Sequence, residues 1–270
     1  MDVLKKLQRL PDQEAVMPAL FVGHGSPMNA VEENEFTQGW ASMAQGIAKP
    51  KAILCVSAHW QTNGTAVTAM ANPRTIHDFY GFPQQLFDVQ YNAPGSPETA
   101  EELKQLIKKT ELHLDHEWGL DHGTWSVLKH IYPDADIPVL QLSLDYTKPA
   151  QWHYELAQEL AQLRKKGVLV VGSGNIVHNL RTLNWHKPDE AFDWATEVNE
   201  QVKQQILSGD PQPLIKYEQL GRAASLAIPT PEHYLPLLYT LGLQQKQEQV
   251  QFLNDKMQLG SISMTSVKIG

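Results

Sequence analysis

Cysteine is nearly absent from the 270 residues, with Cys55 the single example. One thiol closes no internal disulfide, and its place inside the apolar run Ala52–Val56 marks it as a small buried hydrophobe in a reducing compartment. The cytoplasm is therefore the expected location. Long apolar stretches are missing too: none approaches the roughly 20 residues that span a bilayer. Met1–Gln13 is mixed and polar, with no basic region leading into an apolar signal core, so no membrane partner is expected. Basic charge is also short. Lys and Arg number 22 against 30 Asp and Glu, for a net charge of -8, and phosphate recognition needs clusters of Lys and Arg that this chain lacks. Nucleic acid is not an expected partner, whereas a small neutral or amphoteric substrate is easily accommodated. Internal repeats, low-complexity segments and Ser/Gly linkers are absent as well. One domain over 1–270 is the expectation, with 1–15 peripheral to it.

Histidine, by contrast, is plentiful: eleven occur, which favours metal or proton-transfer chemistry without establishing either. Their setting follows from the alternation of elements. Pro18–Val22, Ala52–Val56, Val139–Leu144 and Val168–Val171 are short, continuous, β-branched apolar runs, the pattern of strands covered on both faces. Between and after them come helical patterns: Ser96-Pro97-Glu98 to about Lys109, Pro149 to Lys166 before Gly167, Glu190 to Leu207 before Ser208-Gly209, and Thr230-Pro231-Glu232 through Tyr239. Gly260 to Ile269 has the pattern of a late strand. Such alternation predicts a single layered α/β domain with a mostly parallel central sheet flanked by helices.

In an open α/β sheet, ligands bind beyond the carboxyl ends of the strands, where the loops converge. Three histidines fall there: His24 in Gly23-His24-Gly25-Ser26-Pro27, His59 in Ser57-Ala58-His59-Trp60, and His178 after Val168–Val171. Any one histidine is more often a solvated or satisfied core residue than a ligand. Three after three strands favour a shared site. His233 falls in the first turn of the helix expected from Thr230-Pro231-Glu232, where the positive end of the helix dipole keeps the ring neutral, as a metal ligand must be. His122, beside Asp121, is a candidate proton donor, while His113, His116, His130, His153 and His186 have no such context. Other motifs fail. Gly172-Ser173-Gly174 has Val177 where a dinucleotide loop needs its third glycine, so no nucleotide cofactor is expected, and Gly25-Ser26 lacks the spacing of a nucleophile elbow. Trp60, Trp118, Trp125 and Phe79-Tyr80 suit core or pocket walls, which a flat aromatic substrate would also use.

Taken in order, Gly23-His24-Gly25-Ser26-Pro27-Met28, Ser57-Ala58-His59-Trp60, Ile76-His77-Asp78-Phe79, Asp121-His122-Gly123, His178-Asn179-Leu180-Arg181 and Pro229-Thr230-Pro231-Glu232-His233-Tyr234-Leu235-Pro236 resemble the class III extradiol ring-cleavage dioxygenases, within them the 4,5-DOPA dioxygenase branch. Each segment is weak alone and the ordered set is specific. The resemblance implies one mononuclear non-haem divalent metal, usually Fe(II), with a small catecholic substrate and O2 as partners. By position, His24 and His59 match the first two metal ligands and His233 the region of the third. His178 matches a base towards the catechol hydroxyl, or a fourth ligand where Zn(II) is bound, and His122 a substrate contact. His77, Asp78 and Ser26 lie in the same segments and are expected at the substrate.

One departure from the pattern stands out. Better-known class III enzymes complete the iron site with a carboxylate, and here Glu232 and His233 are adjacent, so both do not easily face one metal. An all-histidine set suits zinc, which performs no redox step. Three functions are therefore expected to compete. They are cleavage of a catechol such as DOPA to a muconic semialdehyde, a zinc-dependent hydrolase on the same scaffold, and a non-catalytic catechol- or metal-binding protein.

Overall fold

A computed structural model describes residues 16–270; the segment expected to be peripheral, 1–15, lies outside the described residues. Its centre is an eight-stranded sheet in the order β4-β3-β5-β2-β6-β1-β10-β7. The strands are β1 (Ala19–Gly23), β2 (Ala52–Thr62), β3 (Thr65–Thr68), β4 (Leu112–Asp115), β5 (Val139–Asp145), β6 (Val168–Gly174), β7 (Val250–Leu253) and β10 (Ser266–Ile269), while β8 (Met257–Gln258) and β9 (Ile262–Ser263) form a separate pair. The middle four, β5, β2, β6 and β1, run parallel, and antiparallel pairing appears at β3–β5, β1–β10 and β10–β7. Along each central strand successive side chains enter opposite layers: Ala19 and Phe21, Leu54 and Val56 pack on one side, Leu20 and Val22, Ile53 and Cys55 on the other. Both faces are buried, which is why these strands are apolar throughout rather than alternating.

Nine helices are described: α1 (Glu35–Met43), α2 (Gln84–Phe87), α3 (Pro97–Leu106), α4 (His122–Ile131), α5 (Ala150–Lys165), α6 (Asp193–Ser208), α7 (Gln212–Ile215), α8 (Arg222–Ala227) and α9 (Leu235–Gly242). The start and stop signals work as expected at α3, where the Ser96 side chain accepts from the Thr99 N–H at 3.2 Å, and at α6, closed by Gly209 with φ 73°. Trp40 of α1 and Trp125 of α4 fill the layer that holds Cys55, while α5, α6 and α9 cover the other. No helix among the described residues is long and apolar enough to cross a membrane.

Two differences from expectation bear on the site. The helix expected from Thr230-Pro231-Glu232 begins only at Leu235, because Pro236 has no N–H to give and fits only the first turn of a helix. Pro231–Tyr234 instead makes a turn in which the N–H groups of Tyr234 and Leu235 both reach the Pro231 carbonyl at 2.9 Å. His233 therefore precedes the helix, and a helix dipole is not what keeps it neutral. The second difference is β2, which continues past Val56 to Thr62. Val56 pairs with Leu142 of β5, and the next pair is Gln61 with Leu144, so Ser57–Trp60 bulges out of that ladder. His59 sits in this bulge, inside a strand rather than beyond one.

The sheet's far edge is held by Arg164, fully buried at the end of α5. Its guanidinium donates to the Met17 carbonyl at 2.6 Å and the Leu243 carbonyl at 2.7 Å, and takes both oxygens of Glu248 at 2.9 and 2.6 Å. Removing the partner strands a buried charge. Glu248→Ala is expected to cost about 3–5 kcal/mol in urea denaturation; a loss within the roughly 1 kcal/mol of a surface pair would contradict this account.

Candidate active site

The parallel run β2-β6-β1 sets the carboxyl ends of three strands side by side, and a histidine cluster forms above them. His24 directly follows β1, its backbone N–H bonded to the Gly174 carbonyl at the end of β6 at 3.1 Å. His59 is aimed from the β2 bulge, and its backbone N–H donates to Ser57 Oγ at 3.2 Å. His233 is held by its own carbonyl, which accepts from Asn175 N at 2.8 Å just beyond β6. The three rings stand 5.0 to 5.3 Å apart by centroid. One ring nitrogen from each lies within 4.8 Å of the other two.

Proton counting fixes how two of these rings are presented. Ser173 Oγ has one hydrogen, which it donates to the Gly123 carbonyl at 2.5 Å, so towards His24 Nδ1, 3.0 Å away, it accepts. His24 thus carries its proton on Nδ1 and leaves Nε2 bare. His233 Nδ1 lies 3.1 Å from Glu232 Oε1, and a carboxylate only accepts, so His233 is in the same tautomer. Glu232 also accepts from Thr230 Oγ1 at 2.8 Å. The carboxylate that adjoins His233 in sequence is thereby turned to its far side.

Burial is the largest cause holding these rings uncharged, reinforced by their mutual repulsion: His24 and His233 titrate far below the ordinary histidine range. Burial and then the neighbouring His122 bring His59 down to about 3, against the opposing pull of Asp78. Burial brings His178 down to about 4, with Glu232 pulling the other way. Neutral imidazole is the form that binds a metal. His24 Nε2 and His59 Nε2 face each other at 3.2 Å. With His24 Nε2 bare, a divalent cation suits the gap: two nitrogens bound at about 2.1 Å to a tetrahedral metal stand roughly 3.4 Å apart. The donor set fits a mononuclear divalent metal.

Two further histidines flank the trio. His178 stacks on His233, with rings 3.5 Å apart and 10° from parallel, and its nitrogens group with Glu232 and His233 rather than with His24 and His59. It is pinned through its backbone N–H to the Ala227 carbonyl, and the next residue, Asn179, donates to the Leu226 and Ser261 carbonyls. His122, the first residue of α4, lies 3.9 Å from the His59 ring. Beside it Phe79 meets His122 edge-on at 5.6 Å and packs against Phe82, Phe87 and Trp125, an aromatic wall next to the cluster.

A family model described as the catalytic LigB subunit of aromatic ring-opening dioxygenase matches residues 18–270. The chain belongs to that family. A 4,5-DOPA dioxygenase extradiol of Escherichia coli (strain K12) is 51% identical over 258 residues, covering 94% of this chain and 95% of that protein. One of the same name from Beta vulgaris is 34% identical and covers 95% and 97%. The crystal structure of an uncharacterized Escherichia coli K12 protein superposes with a TM-score of 0.83 at 47% identity, over 94% of this chain and all of that one.

Within this LigB-family site the expected residues divide. His24, His59, His233, His122 and His178 are brought together. His77 turns away: its Nε2 meets the Val89 carbonyl at 2.9 Å and its ring packs on Phe79, Phe87 and Trp125. Ser26 caps a short 3-10 turn, accepting from Met28 N at 3.3 Å. The Asp78 carboxylate is directed at His122. Sequence reasoning did not single out Ser173, or the fully buried Asp121. Asp121 accepts from Ser57 Oγ at 2.8 Å, Gln141 Nε2 at 2.7 Å and Thr124 N at 3.1 Å, and so braces the β2 bulge against α4. Burial, followed by the charge of Asp78, raises its carboxyl above the ordinary range. A polar residue closing an apolar strand, as in Val170-Val171-Gly172-Ser173, is the one signal that points to Ser173.

Gly123 also belongs to the site. A Cβ there would stand 2.6 Å from Ser57 Oγ and 2.8 Å from His59 Cδ2. Gly123→Ala is expected to displace the His59 ring and weaken zinc binding by about 10–100-fold in chelator competition; wild-type affinity would show that the ring is not held there. A second outcome follows from the lowered histidines. Unfolded rings take protons near pH 6.5, whereas folded His59 and His178 refuse them until about 3 and 4. Between those limits the unfolded chain binds more protons, so stability is complete above the unfolded value and falls as pH drops. For metal-free protein, denaturation midpoints are expected to decline from pH 7 towards 4, by roughly 1.4 kcal/mol per pH unit for each such ring. A flat profile would mean the rings ionise freely in the fold.

Proposed function

We propose that this chain opens the ring of a catechol such as DOPA with dioxygen, cutting outside the two hydroxyls to give a muconic semialdehyde. The observation that carries the reading is the His24–His59–His233 set, converging and uncharged, with His122 and His178 on its flanks. These three residues would hold the divalent metal, and iron bound there would supply the one-electron chemistry by which triplet dioxygen reacts with a closed-shell catechol. The protein's own part is proton handling and placement. His178 is uncharged at neutral pH and is the base for a catechol hydroxyl, and His122 exchanges a proton on the opposite flank. Phe79 and its aromatic neighbours offer a flat apolar face to the ring. The names of the Escherichia coli and Beta vulgaris relatives support the choice of DOPA. A cytoplasmic setting is consistent with Cys55 being free and buried.

The donor set also gives a second reading its footing. All three converging atoms are nitrogen, and Glu232 is occupied by His233 and Thr230, an arrangement that zinc favours. A zinc hydrolase would work through bound water and need no oxygen.

Oxygen uptake decides between the two. Protein reconstituted anaerobically with Fe(II), then given DOPA and air, should form a yellow semialdehyde with one dioxygen consumed per catechol. His178→Gln and His122→Gln should each lower kcat by about 10²–10⁴-fold. Absence of uptake across a panel of catechols would sink the ring-cleaving reading.

A further inference from the structure

Asp78 lies in the irregular segment between β3 and α2, beside Phe79, with its side chain only 18% exposed. Its ion-pair contacts among the described residues are histidines alone. Oδ1 accepts from the His122 backbone N–H at 2.9 Å. Oδ2 stands 2.9 Å from His122 Nδ1 and 3.8 Å from His59 Nδ1. Both oxygens are thus turned on His122, the residue that opens α4.

A carboxylate has no proton to give. A bare Nδ1 is electron-rich and a protonated one presents a positive N–H, so a carboxylate oxygen at 2.9 Å favours the tautomer with the ring proton on Nδ1 of His122. The ring N–H does not lie along the line to Oδ2, and the attraction is that of an N–H dipole to a full negative charge rather than a linear hydrogen bond. With the proton on Nδ1, the other nitrogen of the neutral ring is bare. Nε2 has no hydrogen-bond partner among the described residues, and the ring sits 3.9 Å from His59 and 6.0 Å from His24.

We propose that Asp78 is a positioning residue: it fixes His122 in the Nδ1–H tautomer and so makes Nε2 the proton-accepting atom at the edge of the histidine cluster. The proton balance is simple. Nε2 takes one proton from a catechol hydroxyl or the species derived from it, the ring becomes imidazolium with both nitrogens protonated, and the Asp78 charge stabilises it from the Nδ1 side. Release of the proton from Nε2 restores the starting tautomer. The kinetic consequence rests on the catechol-cleaving reading; the tautomer rests on geometry alone.

Asp78→Asn separates the two. The amide oxygen can still accept from the His122 backbone, but its NH2 then faces Nδ1 and draws the ring proton over to Nε2. In full-length zinc-loaded protein labelled with 15N-histidine, with the His122 signals assigned by loss in His122→Gln, wild type should show Nδ1–H and the variant Nε2–H. In iron-loaded protein the same substitution should lower kcat by about 10²–10⁴-fold with KM little changed. In a His122→Gln background it should cost less than about twofold, because the two residues act as one unit. Wild-type His122 protonated on Nε2, a variant with wild-type kcat, or a full additional loss in the double variant would each overturn the proposal. If wild type cleaves no catechol, the functional reading fails while the tautomer measurement still decides this one. If Asp78→Asn does not fold, the wild-type tautomer decides alone.

Discussion

Several histidine rings share a small buried volume here, and to hold a metal they would have to stay uncharged and point bare nitrogens at a common centre. Neither condition is stable by default. A buried imidazolium is penalised by desolvation, and converging lone pairs repel, so each ring needs an outer partner that takes its remaining proton. Ser173 does this for His24 and Glu232 does it for His233. The partner differs in kind between them: a hydroxyl committed by its own bond to Gly123, and a carboxylate that can only accept. The chemistry available at the centre is set by this outer ring of acceptors as much as by the histidines.

The fold supplies the convergence through strand order. β2, β6 and β1 are hydrogen-bonded neighbours running the same way, so the residues at their carboxyl ends stand within a few ångströms without any long loop having to reach. Close approach then needs absent side chains. A Cβ on Gly174 would stand 2.1 Å from the His233 carbonyl oxygen, and one on Gly23 would stand 2.6 Å from the Met264 backbone. These glycines lie at the strand ends because other chain segments cross there.

Much of this frame was visible in the residues. Continuous apolar runs gave away the doubly covered strands, Ser96 and Gly209 marked a helix start and a helix end, and His24 could be placed because its run stops where the strand does. What was hidden depended on partners remote in the chain. The β2 bulge exists only relative to β5, and Ser173 gains its role from residues 50 and 149 positions away. Asp121 and Gln141 form a reciprocal pair across 20 residues that no local pattern announces. His77 shows the opposite case: a histidine in a recognisable segment, yet committed to an aromatic wall and a carbonyl. Pro236 was legible and should have moved the expected helix start, since its missing N–H permits only the first turn.

The bulge in β2 gives the site an unequal tolerance of change. His24 lies on the connection that leaves β1 and His233 in the segment between α8 and α9, both outside the sheet's ladders. His59 lies between two paired stretches of one strand, Ile53–Val56 and Gln61–Thr62, each locked to β5. Side chains alternate along a strand, so the parity of the four residues in between determines which way His59 points. Substitutions beside His59 adjust the site by degrees, whereas gaining or losing a single residue would swing the imidazole to the other face of the sheet. For this protein's descendants, chain length across Ser57–Trp60 is as strict an inheritance as the histidine itself.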